Sequence, residues 1–110
     1  MTDDVSENDG QLIVQLVGDV DLEHCASVRR LLLDGVSHGK DLLVDMSQVT
    51  YLDSSGIASL LEALQIANKN GNAIKLFAAS AQVMRVFELA RLDRVFSIHS
   101  DLSTAMATRA

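Results

Sequence analysis

Apolar and polar residues fall along this chain in short blocks whose period changes from one block to the next. "QLIVQLVG", residues 11–18, is short and rich in β-branched side chains, which predicts a strand ended by Gly18. "DVD", 19–21, follows as a loop. From Leu22 to Val36 the spacing turns helical: Cys25, Val28, Leu32 and Val36 share one face, with Leu31 beside them. "SHGK", 37–40, punctuates the end of that helix. "DLLVDM", 41–46, predicts a mostly buried strand, and "SQVTYLD" a connection. Ile57, Leu60, Leu61, Leu64 and Ala67 then recur at i, i+3, i+4 and i+7, the strongest periodic signal in the chain, and Asn70-Gly71 closes this second helix. "AIKLFA", 73–78, is another short strand, and Val83, Val86, Phe87 and Ala90 mark a third amphipathic helix. "VFSI", 95–98, is a last strand, and "DLSTAMATRA" a short final helix capped by Ser100 or Asp101.

The resulting order, β-α-β-α-β-α-β-α, predicts an α/β fold. Its sheet is mixed but mainly parallel, with about four or five strands and about four helices over it. The 110 residues suit one domain. Residues 1–10 read as a flexible N-terminal arm, with a short strand near Val5, and 11–110 as the folded domain. No repeat, low-complexity segment or proline interrupts the pattern.

Composition narrows the function. Apolar residues make up 48% of the chain but aromatic ones only 4%, so Leu, Val, Ile and Ala must fill the core. Nine basic against fifteen acidic side chains give a net charge of −6. No Lys/Arg cluster is dense enough to track phosphates, which argues against nucleic acid as partner. An acidic surface fits solubility and attraction to a basic partner. Cys25 is the single cysteine, so no internal disulfide forms and a reducing compartment is expected. "MTDDVSENDG" is the opposite of a signal peptide, and no apolar run approaches a membrane span. The expected location is cytoplasmic, without direct membrane insertion.

Chemistry concentrates at "DSSG", residues 53–56, where a loop meets the most periodic helix. Three readings compete for Asp53, Ser54 and Ser55. The first is capping: a side-chain oxygen accepts a free N–H of the first helical turn, while Gly56 permits a close backbone approach. The second is phosphoryl acceptance by an exposed serine, at a helix start that tolerates a dianion. A phosphate adds about −1.5 to −2 charge at neutral pH, enough to end docking without unfolding the domain. The third is a nucleophilic serine, which fares worst. The glycine–x–serine–x–glycine elbow is absent, and nothing aims His24, His38 or His99 at Ser54.

Elsewhere the readings are plainer. The carboxylates of "GDVD", 18–21, are too few for an oxygen-ligand metal site, and Asp21 reads as the cap of the next helix. Asp21 gains a further role only if the fold brings its loop beside Ser54. Cys25 lies on the apolar face of its helix and is expected in the core. Arg85, Arg91 and Arg94 read as solvated surface charge. No glycine-rich phosphate loop or dinucleotide fingerprint is present, and no cofactor or metal is expected.

Three segments, in order, resemble one known family. "GDVDLEHCASVRRLL" is similar to the STAS family's turn into its first helix. "LLVDMSQVTYLDSSGIASLLEAL" is similar to its central strand, loop and helix. "IKLFAASAQVMRVFELARLDRVFSIHSDLSTAMA" is similar to its C-terminal half. The resemblance spans residues 11 to 108 and is of the anti-sigma factor antagonist type. It implies a regulator that is not an enzyme. Unphosphorylated, such a domain binds an anti-sigma factor that is also a serine kinase, and phosphorylation of the serine after the motif aspartate releases it. A serine phosphatase resets the domain. Mapped here, Ser54 is the phosphoacceptor, with Asp21, Asp53, Ser55 and Gly56 around it at the partner surface. The same resemblance allows a second role, as the small subunit of an ABC-type lipid transporter docked on a permease without a phosphorylation switch. That group often carries threonine and glycine where this chain has Ser54 and Ser55. A nucleotide sensor is a third class, and no residue pattern here picks out a purine or phosphate pocket.

Overall fold

The computed structural model describes residues 4–8 and 10–107. Among these residues five strands form one sheet in the order β1-β2-β3-β4-β5. They are β1 (Asp4–Asn8), β2 (Gln11–Val20), β3 (Leu42–Leu52), β4 (Ile74–Phe77) and β5 (Ser97–His99). β1 runs antiparallel to β2, and the other pairs are parallel. Among the described residues the helices are α1 (Cys25–Val36), α2 (Ser54–Lys69), α3 (Ala81–Leu89) and α4 (Leu102–Ala107), with a 3-10 turn at Leu92–Arg94. The α/β architecture with a mainly parallel sheet is the one the sequence predicts. The segment read as an arm contributes the strand expected near Val5, as β1.

The strands are added in one direction, so right-handed crossovers place α1, α2 and α3 on the same sheet face. The main core lies there. Leu12, Val14 and Leu16 of β2 and Leu42, Val44 and Met46 of β3 meet Val28, Leu32 and Val36 of α1 and Leu60, Ala63 and Leu64 of α2. Each Leu or Val so buried stabilises the fold by about 1.5–3 kcal/mol relative to exposure. Phe87 of α3 packs edge-on against Phe96, ring centres 5.7 Å apart, which fastens α3 to the chain before β5. The opposite face is covered by α4 through Leu43, Phe77 and Ala105. Lys75 is buried on β4, and its Nζ donates to the Ala105 carbonyl at 3.3 Å. That bond ties a strand to the last turn of α4, where a cation also meets the helix dipole.

Several boundaries differ from the sequence reading. β2 runs on through Val20 and β3 through Leu52, so the first two residues of "DVD" and most of "SQVTYLD" are strand. Register shifts between Gln15 and Val17 and between Gly18 and Asp19 mark bulges, and Gly18 takes φ +86° there. Because of these irregularities the core residues Met46, Val49 and Leu52 are spaced by three. A period of three hides a strand from a search for alternation. α1 begins at Cys25, three residues later than the pattern suggests, and Leu22 is 73% exposed. Cys25 is half-buried at the helix start and not in the core, with its Sγ donating to the Leu22 carbonyl. Ala90 ends α3 as an exposed cap residue, and Val95 is exposed just before β5. Asp101, of the two caps expected for the final helix, is the one used: it accepts the Thr104 N–H at 2.8 Å.

Candidate functional site

Parallel strands β2 and β3 end side by side; β2 leads through a short turn into α1, and β3 through Asp53 alone into α2. Asp19 pairs with Tyr51 and Val20 with Leu52 at the carboxyl ends of the two strands. The general rule for α/β sheets places functional loops at such ends. Here these ends carry "GDVD", which closes β2 and opens the turn before α1, and "DSSG", which opens α2. The Thr50 hydroxyl donates to Asp19 Oδ1 at 2.8 Å, and the Asp53 N–H donates to the Val20 carbonyl at 3.2 Å.

Asp53 organises the site. It is extended, with φ −115° and ψ −175°, and caps α2. Its Oδ1 accepts the N–H groups of Ser55 at 2.9 Å and Gly56 at 3.2 Å. Its Oδ2 accepts the Leu22 N–H at 3.2 Å. One carboxylate therefore satisfies two orphan donors of α2 and also binds the loop before α1. The two loops that the sequence could only list separately are joined here.

Ser54 is the first residue of α2 and is exposed. Asp53 does the capping, so neither serine is the cap. The Ser54 hydroxyl engages no partner among the described residues. Ser55 is half-buried, and its carbonyl accepts the Ser59 hydroxyl at 3.2 Å. It lines a shallow groove of about 290 Å³ between α1 and α2, with Cys25, Arg29, Ala58, Ser59 and Glu62. Arg29 Nε donates to the Glu62 carboxylate across that groove, which raises the pKa of Arg29 further. Gly56 is buried, and the space its missing side chain leaves is filled by Val20 and Leu52.

Asp21 does not cap α1, whose N-cap is His24 with no side-chain cap bond. Asp21 Oδ1 instead accepts both the His24 N–H, at 3.1 Å, and a bond from His24 Nδ1, at 2.8 Å. Partial burial raises the pKa of Asp21, but the His24 side chain, its N–H and its charge together outweigh that and hold the value low. Asp21, Glu23 and His24 carry ligand-type atoms within 4.8 Å of one another. The Asp21–His24 bond already accounts for two of those three groups. His38 lies 3.9 Å from Asp34, and His99 bonds to Ser97. Each histidine thus engages a residue other than Ser54. Arg85, Arg91 and Arg94 are exposed on and after α3.

Sequence reasoning brought out Asp21, Asp53, Ser54, Ser55 and Gly56. It missed the second oxygen of Asp53 as a latch on Leu22, and the Arg29–Glu62 pair beside Ser55. An i, i+3 reading within one helix cannot find a pair that joins two helices. No helix among the described residues is long and apolar enough to cross a membrane.

Comparison with known proteins fits this geometry. The family model described as "Mlab, STAS domain" matches residues 4–102. The anti-sigma-B factor antagonist of Bacillus subtilis is 26% identical over 95 residues, covering 86% of this chain and 87% of that protein. The crystal structure of an anti-sigma factor antagonist from Mycobacterium paratuberculosis superposes with a TM-score of 0.87 at 23% identity, over 96% of this chain and 91% of that one. The phosphorylated form of the Bacillus cell fate determinant SpoIIAA superposes with a TM-score of 0.72 at 15% identity, over 96% and 97%. At those identities the structural likeness establishes the fold. The match of the family model to nearly the whole chain establishes more: this protein belongs to the STAS domain family.

Proposed function

We propose that this protein is an anti-sigma factor antagonist that works as a partner switch. In this reading the unphosphorylated domain binds an anti-sigma factor with serine-kinase activity, and phosphorylation of Ser54 ends the complex. One observation carries it: Asp53 caps α2 with Oδ1 and holds the Leu22 N–H with Oδ2, which leaves the exposed Ser54 hydroxyl uncommitted. The names of the relatives support the antagonist role, and phosphorylated SpoIIAA shows that a protein of this fold can carry a phosphoryl group.

The chemistry asks little of this chain. The kinase supplies base, Mg²⁺ and ATP, and the domain presents a hydroxyl on a rigid helix end. The γ-phosphoryl group passes to Ser54 Oγ, the hydroxyl proton goes to the kinase base, and ADP leaves. A phosphatase then uses water to return the hydroxyl and release inorganic phosphate. The new dianion stands next to Asp53 and near the Asp21 loop. If it costs the complex about 2.7 kcal/mol, affinity falls about a hundredfold. Asp21, Asp53, Ser55 and Gly56 would set the shape and charge of the surface that the kinase meets, Gly56 through the close helix packing it allows.

The test uses the purified anti-sigma factors with serine-kinase domains that are encoded in the same genome. Ser54→Ala is expected to bind its cognate kinase in the presence of ATP without being released. Ser54→Glu is expected to bind about a hundredfold more weakly. Intact-mass analysis after incubation with kinase and ATP should place one phosphate on wild type and none on Ser54→Ala. Equal binding by both variants and wild type would remove Ser54 as the switch. Co-purification with an ABC permease, and with no kinase, would favour the transporter-subunit reading.

A further inference from the structure

Two large apolar side chains stand exposed beside the Ser54 loop, and nothing in the fold requires them there. Leu22 is 73% exposed and Tyr51 is 49% exposed. Both are fixed in position. The Leu22 N–H is bonded to Asp53 Oδ2, and Tyr51 pairs with Asp19 at the end of β3. Tyr51 precedes Ser54 by three residues, so their Cα atoms lie within about 11 Å of each other. A solvent-exposed leucine costs nothing singly. A leucine and a tyrosine on rigid backbone around one proposed modification site have the composition of an interface anchor.

Charge tells what covers them. Residues 18–24 and 47–61 hold the carboxylates of Asp19, Asp21, Glu23 and Asp53 and no lysine or arginine. Asp19 and Glu23 are exposed, and Asp21 and Asp53 are half-exposed. Arg29, across the groove from Ser55, is paired with Glu62. The face is therefore apolar at two points and acidic around them. Its complement is a surface with an apolar pocket for Tyr51 and Leu22, rimmed by arginine and lysine.

We infer that Leu22 and Tyr51 anchor the protein partner that recognises Ser54, on a basic-rimmed apolar pocket of that partner. This rests on the switch reading above and names the surface through which the switch acts. It also gives the phosphate a second target. A dianion on Ser54 repels Asp53, and Asp53 holds the Leu22 loop in place.

The experiment measures equilibrium binding of the purified kinase-type anti-sigma factor to wild type, Leu22→Ala, Tyr51→Ala, Ser54→Glu and Leu89→Ala. Leu89 is 77% exposed on α3 and serves as the control for lost apolar surface. Tyr51→Ala and Leu22→Ala are each expected to weaken binding about thirtyfold, the lower edge of an interface hot spot, with unchanged thermal melting. Leu89→Ala should bind as wild type. Glu23→Lys should slow association several-fold at low salt, and the difference should shrink as salt rises. If Leu22→Ala and Tyr51→Ala bind as wild type while Ser54→Glu is released, the anchor surface is wrong and the switch stands. If wild type binds none of these kinases, the switch reading falls and the anchor proposal falls with it. A dimer of this chain that Leu22→Ala dissolves would also overturn it, by naming a second copy as the occupant.

Discussion

A methyl group at Gly56 would press into the Val20 carbonyl and lie 2.6 Å from Val20 Cγ1 and 2.9 Å from Leu52 Cδ1. The carbonyl is held in place by the Asp53 N–H, so it cannot give way without loosening the site. Gly56→Ala is therefore expected to destabilise the protein by about 1–3 kcal/mol through overpacking. Asp53→Ala, which removes a cap and the Leu22 latch, should cost about 1–2 kcal/mol. Urea titration followed by circular dichroism measures both, and a Gly56→Ala variant as stable as wild type would contradict the packing account. The acid, the serines and the glycine at this position were all legible in the sequence. Their division of labour was not. Any of Asp53, Ser54 or Ser55 can cap a helix, and only the backbone angles of Asp53 decide which one does.

At the scale of elements, long helices and buried strands declared themselves and the irregular pieces did not. The α2 periodicity is regular because one face of that helix meets a continuous core. The outer half of β3 is irregular because bulges shift its pairing with β2, and its polar residues face solvent. Cys25 shares a helical face with Val28 and Leu32, yet the core does not reach the first turn of α1. α4 is short and depends on anchors, Asp101 at its start and Lys75 near its end. The Thr104 backbone N–H and hydroxyl, with a smaller contribution from the charge of His99, hold the Asp101 carboxyl below its ordinary pKa against a small opposing effect of burial. A carboxylate with a depressed pKa in the folded state stabilises the fold above its unfolded pKa. That contribution is lost as pH falls through the folded value. Amide exchange across residues 102–107 should therefore quicken, relative to α2, as pH drops below about 4, the unfolded Asp value. Asp101→Asn should remove most of that pH dependence. Identical pH profiles for wild type and Asp101→Asn would sink this account of the cap.

For the whole molecule, the decisive fact is that β2 and β3 are parallel neighbours. Their carboxyl ends meet, so the segments at 18–21 and at 53–56 become one surface. That surface sits on a rigid frame, and a charge added at Ser54 need not refold anything. Acidic groups at a helix start are stabilising by about 0.3–1 kcal/mol, offset here by the neighbouring Asp53. Ser54→Glu is thus expected to keep its stability within about 1 kcal/mol of wild type. Small-angle scattering should give both proteins the same compact radius, consistent with the Cα radius of gyration of 12.4 Å. A large expansion or loss of stability in Ser54→Glu would replace the surface switch with a conformational one.

The sequence by itself determined the alternation of strands and helices, the apolar faces that close the core, and the cluster of acid, hydroxyl and glycine at 53–56. These follow from local periodicity and residue chemistry, which need no partner in space. The tertiary structure decided which serine is free, that Gly56 is packed against Val20, and that Leu22 and Tyr51 stand exposed beside Ser54. It also decided that the Asp21 loop belongs to the same site. Those depend on strand register and on hydrogen bonds between residues 31 positions apart, such as Leu22 to Asp53. No local pattern encodes a bond of that kind, because it exists only once the sheet has brought its ends together.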